Sequence, residues 1–227
     1  VSGGAEFDRG RLGGLPAEVA MARLPSGRHG FSRSFVAENQ RLRLLAAMLR
    51  LLPERGYPAL TIGQITGEAA VSRASFYKQF ESKEECYLAT YDVASGWLCG
   101  EVEAAVGGID GWEQRVRTGT AEALRLLAAN PLVAHLVAVE AYRAGEAAQE
   151  RQHAMLDRFA SALRAGHPGR PELPDEMADL LLGGVVALVG RYVASGQAGR
   201  LQEATDAVVG FLLIPYVGGG EPGATLG

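Results

Sequence analysis

Only two cysteines, Cys86 and Cys99, occur in the chain, and its four histidines lie on separate segments. Both cysteines fall on what reads as a single helix, so a disulfide between them would need a chain reversal that the helix denies. No Cys or His spacing suits a metal, and the free thiols fit a cytoplasmic protein. The sequence also has no phosphate-binding glycine loop, no nucleophile elbow, and no His/Glu pair at metal-binding helical spacing. No catalytic residue, metal or cofactor is therefore expected. No secretory leader is expected, because the N-terminus shows no basic start followed by an apolar run. The longest apolar run, Leu180 to Gly190, is closed by Asp179 and Arg191. It is too short to span a bilayer and reads as a buried helix, so no membrane is expected among the partners. Alternating β-branched runs bounded by turns are absent as well. Alanine and leucine dominate, and the chain reads as all-α.

A net charge of −4 is little for a chain of 227 residues, but it is unevenly spread. From Arg28 to Glu85 there are nine Lys/Arg against six Asp/Glu. From Cys86 to the end there are ten against seventeen. A basic module joined to an acidic one suits a split between nucleic-acid binding and a second task.

Residues 1–30 hold seven glycines and two prolines without periodicity, and read as a flexible arm. Met21 opens a more ordinary N-terminus, so a native start there is an alternative to Val1. In this arm and just beyond it, Arg28, His29 and Arg33 suit either a minor-groove contact or a disordered basic linker. Residues 31–83 read as a small helical head, 84–217 as a larger helical body, and 218–227 as a flexible tail.

In the head, Leu42, Leu45, Leu49 and Leu52 share one helix face, with Arg41, Arg43 and Arg50 elsewhere around it. Pro53 ends or kinks that helix, and Gly56 stops it. Three helix starts follow. Thr61 with Gln64 forms a capping box, and Leu60 staples onto Ile65. Ser72 caps a second helix, with Val71 stapling onto Phe76. Ser82 with Glu85 is another capping box, opening a long helix to about Ala105. Two helices of about two turns each, joined by a tight turn at Ala70 and Val71, make a helix-turn-helix. In that motif the second helix enters the major groove while the first braces it. Phe76 and Phe80 face the core, leaving Arg73, Ala74, Ser75 and Lys78 outward. Arg73 and Lys78 suit base edges, arginine most naturally guanine, with a solvated face as the plainer reading. Tyr77 is a rigid reach to a phosphate.

The stretch "LLAAMLRLLPERGYPALTIGQITGEAAVSRASFYKQFESKEECYLATYD" resembles the tetracycline-repressor (TetR) family of bacterial transcriptional regulators. The match runs from about Phe35 to Tyr91. It rests on Gly56-Tyr57, Thr61, Val71-Ser72, Tyr77, Phe80 and Ser82-Lys83-Glu84. The resemblance implies DNA contacts from Thr61, Ser72, Arg73, Ala74, Ser75, Tyr77, Lys78 and Lys83, with Tyr77 and Lys83 on phosphates. It also implies a homodimer on a palindromic double-stranded operator, released when a small effector in the body respaces the two heads. Three features depart from the family. Ala70 stands where glycine is common, and a left-handed turn there costs alanine ~1 kcal/mol or more. Gly63 and Gly67 inside the second helix each cost ~1 kcal/mol relative to alanine. Pro53 stands where the first helix normally continues.

The body reads as helices over Gly111–Ala129, Pro131–Ala144, Gln149–Ala165, Asp175–Ser195 and Leu201–Tyr216. Trp97, Trp112, His135, Tyr142, Arg143 and Phe159 are its candidate ligand residues, with core packing as the plainer reading of the aromatics. His135, Val139 and Tyr142 share one face of the Pro131 helix. Glu140 and Arg143 pair on the surface. Leu180 to Val193 is apolar all round and suggests a subunit interface, its glycines allowing close approach. The favoured reading is a repressor that responds to a largely apolar effector. Rival readings are a ligand-blind regulator with a protein partner, and a helical enzyme or carrier that keeps the motif as scaffold.

Overall fold

The computed structural model of the chain describes residues 33–164, 173–174 and 176–217. The arm and tail expected at 1–30 and 218–227, with Arg28, His29, the Arg33 side chain and most of the loop before Pro174, lie outside the described residues. Every regular element among the described residues is helical, as expected of an all-α chain. In order they are α1 (Arg33–Arg55), α2 (Ile62–Ala69), α3 (Arg73–Tyr77), α4 (Lys83–Val106), α5 (Trp112–Ala129) and α6 (Pro131–His135). A π-helical turn (Leu136–Glu140) follows, then α7 (Glu146–Arg164), α8 (Met177–Ala194), a 3-10 segment (Ala198–Ala204) and α9 (Thr205–Val217). They form two compact units. One comprises residues 33–100 with Glu140–Arg151, and the other Glu101–Val139 with the residues from Gln152 on.

The first unit is built on α1. Its residues Leu44 to Leu49 are all buried, as is Leu52, because α2 and α3 both pack on this helix. Leu42, expected on the buried face, is only half-buried. Pro53 neither ends nor breaks the helix, which runs on to Arg55. So near the C-terminus a proline forfeits one backbone bond and leaves almost no helix beyond it to disturb. Gly56 then stops the helix at φ +70°, and its N–H donates to the Leu52 carbonyl at 2.8 Å. Ile65, Phe76, Phe80, Tyr87 and Tyr91 complete the core. Each aliphatic or aromatic side chain buried this fully contributes about 1.5–3 kcal/mol.

In the second unit α5 packs against the 3-10 segment and α9, and α6 packs on α8. Trp112 anchors the start of α5. Its indole Nε1 donates to the Leu163 carbonyl at 3.1 Å, and its ring lies 5.0 Å from that of Tyr216. The helix expected over Pro131–Ala144 is different. It is α-helical only to His135, π-helical to Glu140, and then turns through Gly145 at φ +106°. The buried Gln152 amide donates to the Val137 carbonyl at 2.6 Å, giving this widened stretch a partner outside its own ladder. The last helix begins as a 3-10 segment at Ala198, earlier than the Leu201 expected, and becomes α-helical only at Thr205.

The α8 helix is not buried on all sides, as its composition suggests. Leu180, Gly183, Gly184 and Ala187 are exposed, at i, i+3, i+4 and i+7. Phe211 and Ile214 of α9 are exposed too, and Leu180 and Ile214 keep 70% and 67% of their surface. Gly184 does serve a close approach, but within the chain: a Cβ there would lie 3.1 Å from the Phe211 ring. By length and composition alone α8 could cross a bilayer. Its buried flank, Leu181, Leu182 and Val189, belongs to the core of this unit.

Candidate nucleic-acid interface

The turn between α2 and α3 is fixed by local chemistry. The Thr61 hydroxyl accepts the Gln64 N–H at 3.3 Å, and the Gln64 carboxamide accepts the Thr61 N–H at 2.9 Å, so the capping box closes both ways. At the far end of α2, the Ala70 N–H donates to the Gly67 carbonyl and the Val71 N–H to the Thr66 carbonyl, at 3.1 and 3.0 Å. This is a Schellman ending without glycine, and Ala70 is left-handed at φ 49°, ψ 48°. Arg43 offsets its strain. Reaching across from α1, its Nη2 donates to both the Ala69 and Ala70 carbonyls. A second α1 arginine, Arg50, bonds Glu68 at 2.9 Å and ties α2 to α1.

Ser72 caps α3, its hydroxyl accepting the Ser75 N–H at 3.0 Å. Yet α3 is shorter than the two turns expected, ending at Tyr77. Its continuation is claimed by α1. The Gln79 side chain donates to the Ala37 carbonyl at 3.2 Å, and Arg41 donates to the Gln79 carbonyl at 3.3 Å. The Arg41 guanidinium also sits 4.5 Å from the center of the buried Phe80 ring. Phe76 and Phe80 are buried, and Ser72, Arg73, Ala74, Tyr77 and Lys78 are exposed. Ser75 is half-buried and Thr61 exposed. Tyr77 keeps 58% of its surface, with its ring edge-on to Phe76. An exposed ring of this size on a short capped helix offers a hydroxyl at fixed reach.

The side chain of Lys83 turns inward. Its ammonium donates to the Tyr57 and Leu60 carbonyls, both at 2.9 Å, and lies 4.2 Å from the center of the Tyr57 ring. Its partial burial lowers its pKa from the usual lysine value. Two of its three protons are thus engaged in holding the α1–α2 loop. The Ser82 hydroxyl caps α4 by accepting the Glu85 N–H at 3.0 Å. Glu85 reaches one residue further back than a capping box requires, to the Glu81 N–H at 2.5 Å.

The Glu140–Arg143 pair is not a surface pair. Glu140 is fully buried, and only Arg143 is exposed. The Glu140 carboxylate accepts the Tyr57 N–H at 2.9 Å and Arg143 Nη1 at 3.1 Å. The Arg143 guanidinium in turn lies 3.4 Å from where a Cβ on Gly56 would stand. A residue far along the chain therefore closes the same loop that Lys83 holds.

The six candidate ligand residues divide between the units. Trp97, Tyr142 and Arg143 lie in the first, and Trp112, His135 and Phe159 in the second. Tyr142 is exposed, and Arg143 is engaged by Glu140. Because the helix stops being regular after His135, Tyr142 does not continue the face of His135 and Val139. Cys86 and Cys99 are free and buried. Burial pushes the Cys86 thiol up to about 12.

Residues 44–90 match the family model described as bacterial regulatory proteins, tetR family. The helix-turn-helix of this chain is thus similar to the DNA-binding head of that family. Uncharacterised HTH-type transcriptional regulators of Mycobacterium tuberculosis and Mycobacterium bovis are 44% identical over 48 residues, covering 21% of this chain and 24% of theirs. The chain thus matches about a quarter of the length of these curated relatives. Over most of its length it shares the fold of solved TetR-like structures. FadR from Bacillus subtilis, solved in complex with stearoyl-CoA, superposes with TM-score 0.66 and 16% identity over 75% of this chain and 96% of that one. The fatty acid degradation regulator FadR from Bacillus halodurans gives 0.69 and 17% over 77% and 94%. A transcriptional regulator from Rhodococcus gives 0.63 and 23% over 77% and 96%.

Proposed function

We propose that the chain is a homodimeric transcriptional repressor that grips a palindromic operator through its TetR-family heads and is released by a small, largely apolar effector. The observation that carries this reading is the exposed face of α3. Ser72, Arg73, Ala74, Tyr77 and Lys78 are presented to solvent on a helix locked from behind by Phe76, Phe80 and α1. Arg73 and Lys78 read base edges, and Tyr77 with the remaining Lys83 proton takes phosphates. Thr61, Ser72 and Ser75 add hydroxyls, and Ala74 an apolar contact.

The exposed apolar stripes of α8 and α9 support dimerisation, since isolated chains rarely leave contiguous apolar faces this open. Two copies meeting there make a four-helix contact that fixes the distance between heads. For the effector, the stearoyl-CoA in the Bacillus subtilis structure points to an acyl compound. Five arginines of the second unit are already paired, which favours an effector without phosphates. Arg117, Arg125, Arg158, Arg164 and Arg200 each face a carboxylate of their own unit, at 2.6 to 3.5 Å. Trp112, His135 and Phe159 of the second unit remain the residues proposed to contact it. The test is selection of a bound duplex from a random library, then competition by fatty acids and acyl-CoA esters. A selected palindrome released by fatty acids supports the proposal in full, and release by acyl-CoA esters alone supports an acyl effector but refutes the argument against phosphates. Failure to select any sequence refutes it, and a selected operator that no such compound releases refutes the effector half.

A further inference from the structure

Two glycines interrupt α2 where alanine would propagate the helix better, and the structure separates them. A Cβ on Gly67 would meet nothing within 4 Å. A Cβ on Gly63 would stand 2.8 Å from Arg73 Nη2, 3.8 Å from its Cζ and 3.9 Å from its Nε. The guanidinium of the first α3 residue therefore rests against the bare Cα of the second residue of α2. No carboxylate or carbonyl among the described residues bonds it there. The helix terminus does not hold it either, because the first turn of a helix is its positive end and repels a cation. Gly63, having no side chain, leaves the notch in which the Arg73 guanidinium lies.

We propose that Gly63 is a specificity-determining position that acts through Arg73, seating its guanidinium so that it reaches one base pair from one direction. The inference rests on the reading of Arg73 as a base-contacting residue given above. A methyl at position 63 stands inside contact distance of the far end of a flexible side chain. The arginine swings aside and the fold is undisturbed. Bidentate reading of guanine needs the guanidinium fork presented in plane to the base edge, so a displaced starting position weakens discrimination more than affinity. Gly67 supplies the control. It takes the same substitution on the same helix with nothing to displace.

The test uses the full chain and the selected operator with each base pair substituted in turn. The variants are Gly63→Ala, Gly67→Ala, Arg73→Ala, and Gly63→Ala combined with Arg73→Ala. Gly63→Ala should melt no lower than wild type. It should lose at least ~5-fold of the discrimination at the base pair that Arg73→Ala also relaxes, and add nothing in the Arg73→Ala background. Gly67→Ala should leave discrimination unchanged. In the protein without DNA, the Arg73 Nε–Hε resonance should shift in Gly63→Ala and stay in Gly67→Ala, which tests the seat apart from the reading. An unmoved resonance refutes the seat. A shifted resonance with unchanged discrimination refutes the link to specificity. If Arg73→Ala itself leaves discrimination intact, Arg73 is not the reader and the proposal falls with that assignment.

Discussion

Replacing Glu140 tests how the α1–α2 loop is held. Its carboxylate is fully buried and accepts the Tyr57 N–H and Arg143 Nη1. Alanine removes both bonds. A backbone N–H bonded to a charged acceptor contributes about 1.5–3 kcal/mol, and orphaning it costs about 1–3 kcal/mol. The ion pair adds less, because the Arg143 side chain keeps 56% of its surface and water screens it. Glu140→Ala should therefore lose about 2–3 kcal/mol. Glu140→Gln keeps an oxygen for the Tyr57 N–H and should lose about 1 kcal/mol. Urea unfolding gives the ranking, and hydrogen exchange at the Tyr57 amide gives the cause. Exchange should accelerate markedly in the alanine variant and little in the glutamine variant. Equal losses in both variants would mean that charge, not the backbone bond, carries the effect. An unchanged Tyr57 amide in Glu140→Ala would refute the reasoning outright.

Ala70→Gly should stabilise the head, because glycine takes the left-handed turn without the ~1–2 kcal/mol that alanine sacrifices. Its unfolded-state entropy returns part of this, leaving a gain of about 0.5–1 kcal/mol; a lower melting temperature would count against the turn assignment. Lys83→Ala should lower stability by about 1–2 kcal/mol as well as operator affinity, since two carbonyls lose their donor. A purely phosphate-binding lysine would weaken binding with no change in melting. Leu180→Glu combined with Ile214→Glu should yield folded monomers in sedimentation at micromolar concentration, whereas a variant that still sediments as a dimer would place the interface elsewhere. The buried Cys86 thiol, held near 12, should resist thiol reagents at pH 8 until the chain is unfolded.

What the sequence shows and what it hides divide by the distance between partners. The caps at Thr61, Ser72 and Ser82 were legible because donor and acceptor stand three residues apart and nothing else competes for them. The burial of Phe76 and Phe80 followed from helical spacing. Arg43 was not legible as the support of the Ala70 turn, since its partners lie 26 and 27 residues on. Nor was Glu140, whose bond to Tyr57 spans 83 residues. A clue to Arg43 was available in the turn itself, because a left-handed alanine needs outside support. The length of α3 is hidden for a similar reason. Helical pattern continues to Phe80, but Ala37 and Arg41 of α1 claim Gln79 first. In the body, an apolar pattern without polar relief predicted burial of α8, and it cannot say whether the covering surface comes from the same chain or another.

The arginines of α1 have a consequence for ionic strength. Nine basic residues between Arg28 and Glu85 give the head its positive balance, but Arg41, Arg43 and Arg50 are bound to the head's own carbonyls and a carboxylate. Glu68 cancels the charge of Arg50, and Arg41 and Arg43 keep their charge but spend their guanidinium donors on internal carbonyls, so none of the three presents a fork to a phosphate. If Arg73 and Lys78 in the groove and Lys83 at a phosphate each displace one counterion, a dimer releases up to about six, and log affinity should fall against log salt with a slope no steeper than about −5. All nine residues in both subunits would give a slope of about −16. The measured slope thus counts the cations that face DNA. Any excess over about −5 belongs to basic residues beyond α3, and deleting residues 1–32 should remove whatever part of it the N-terminal segment supplies.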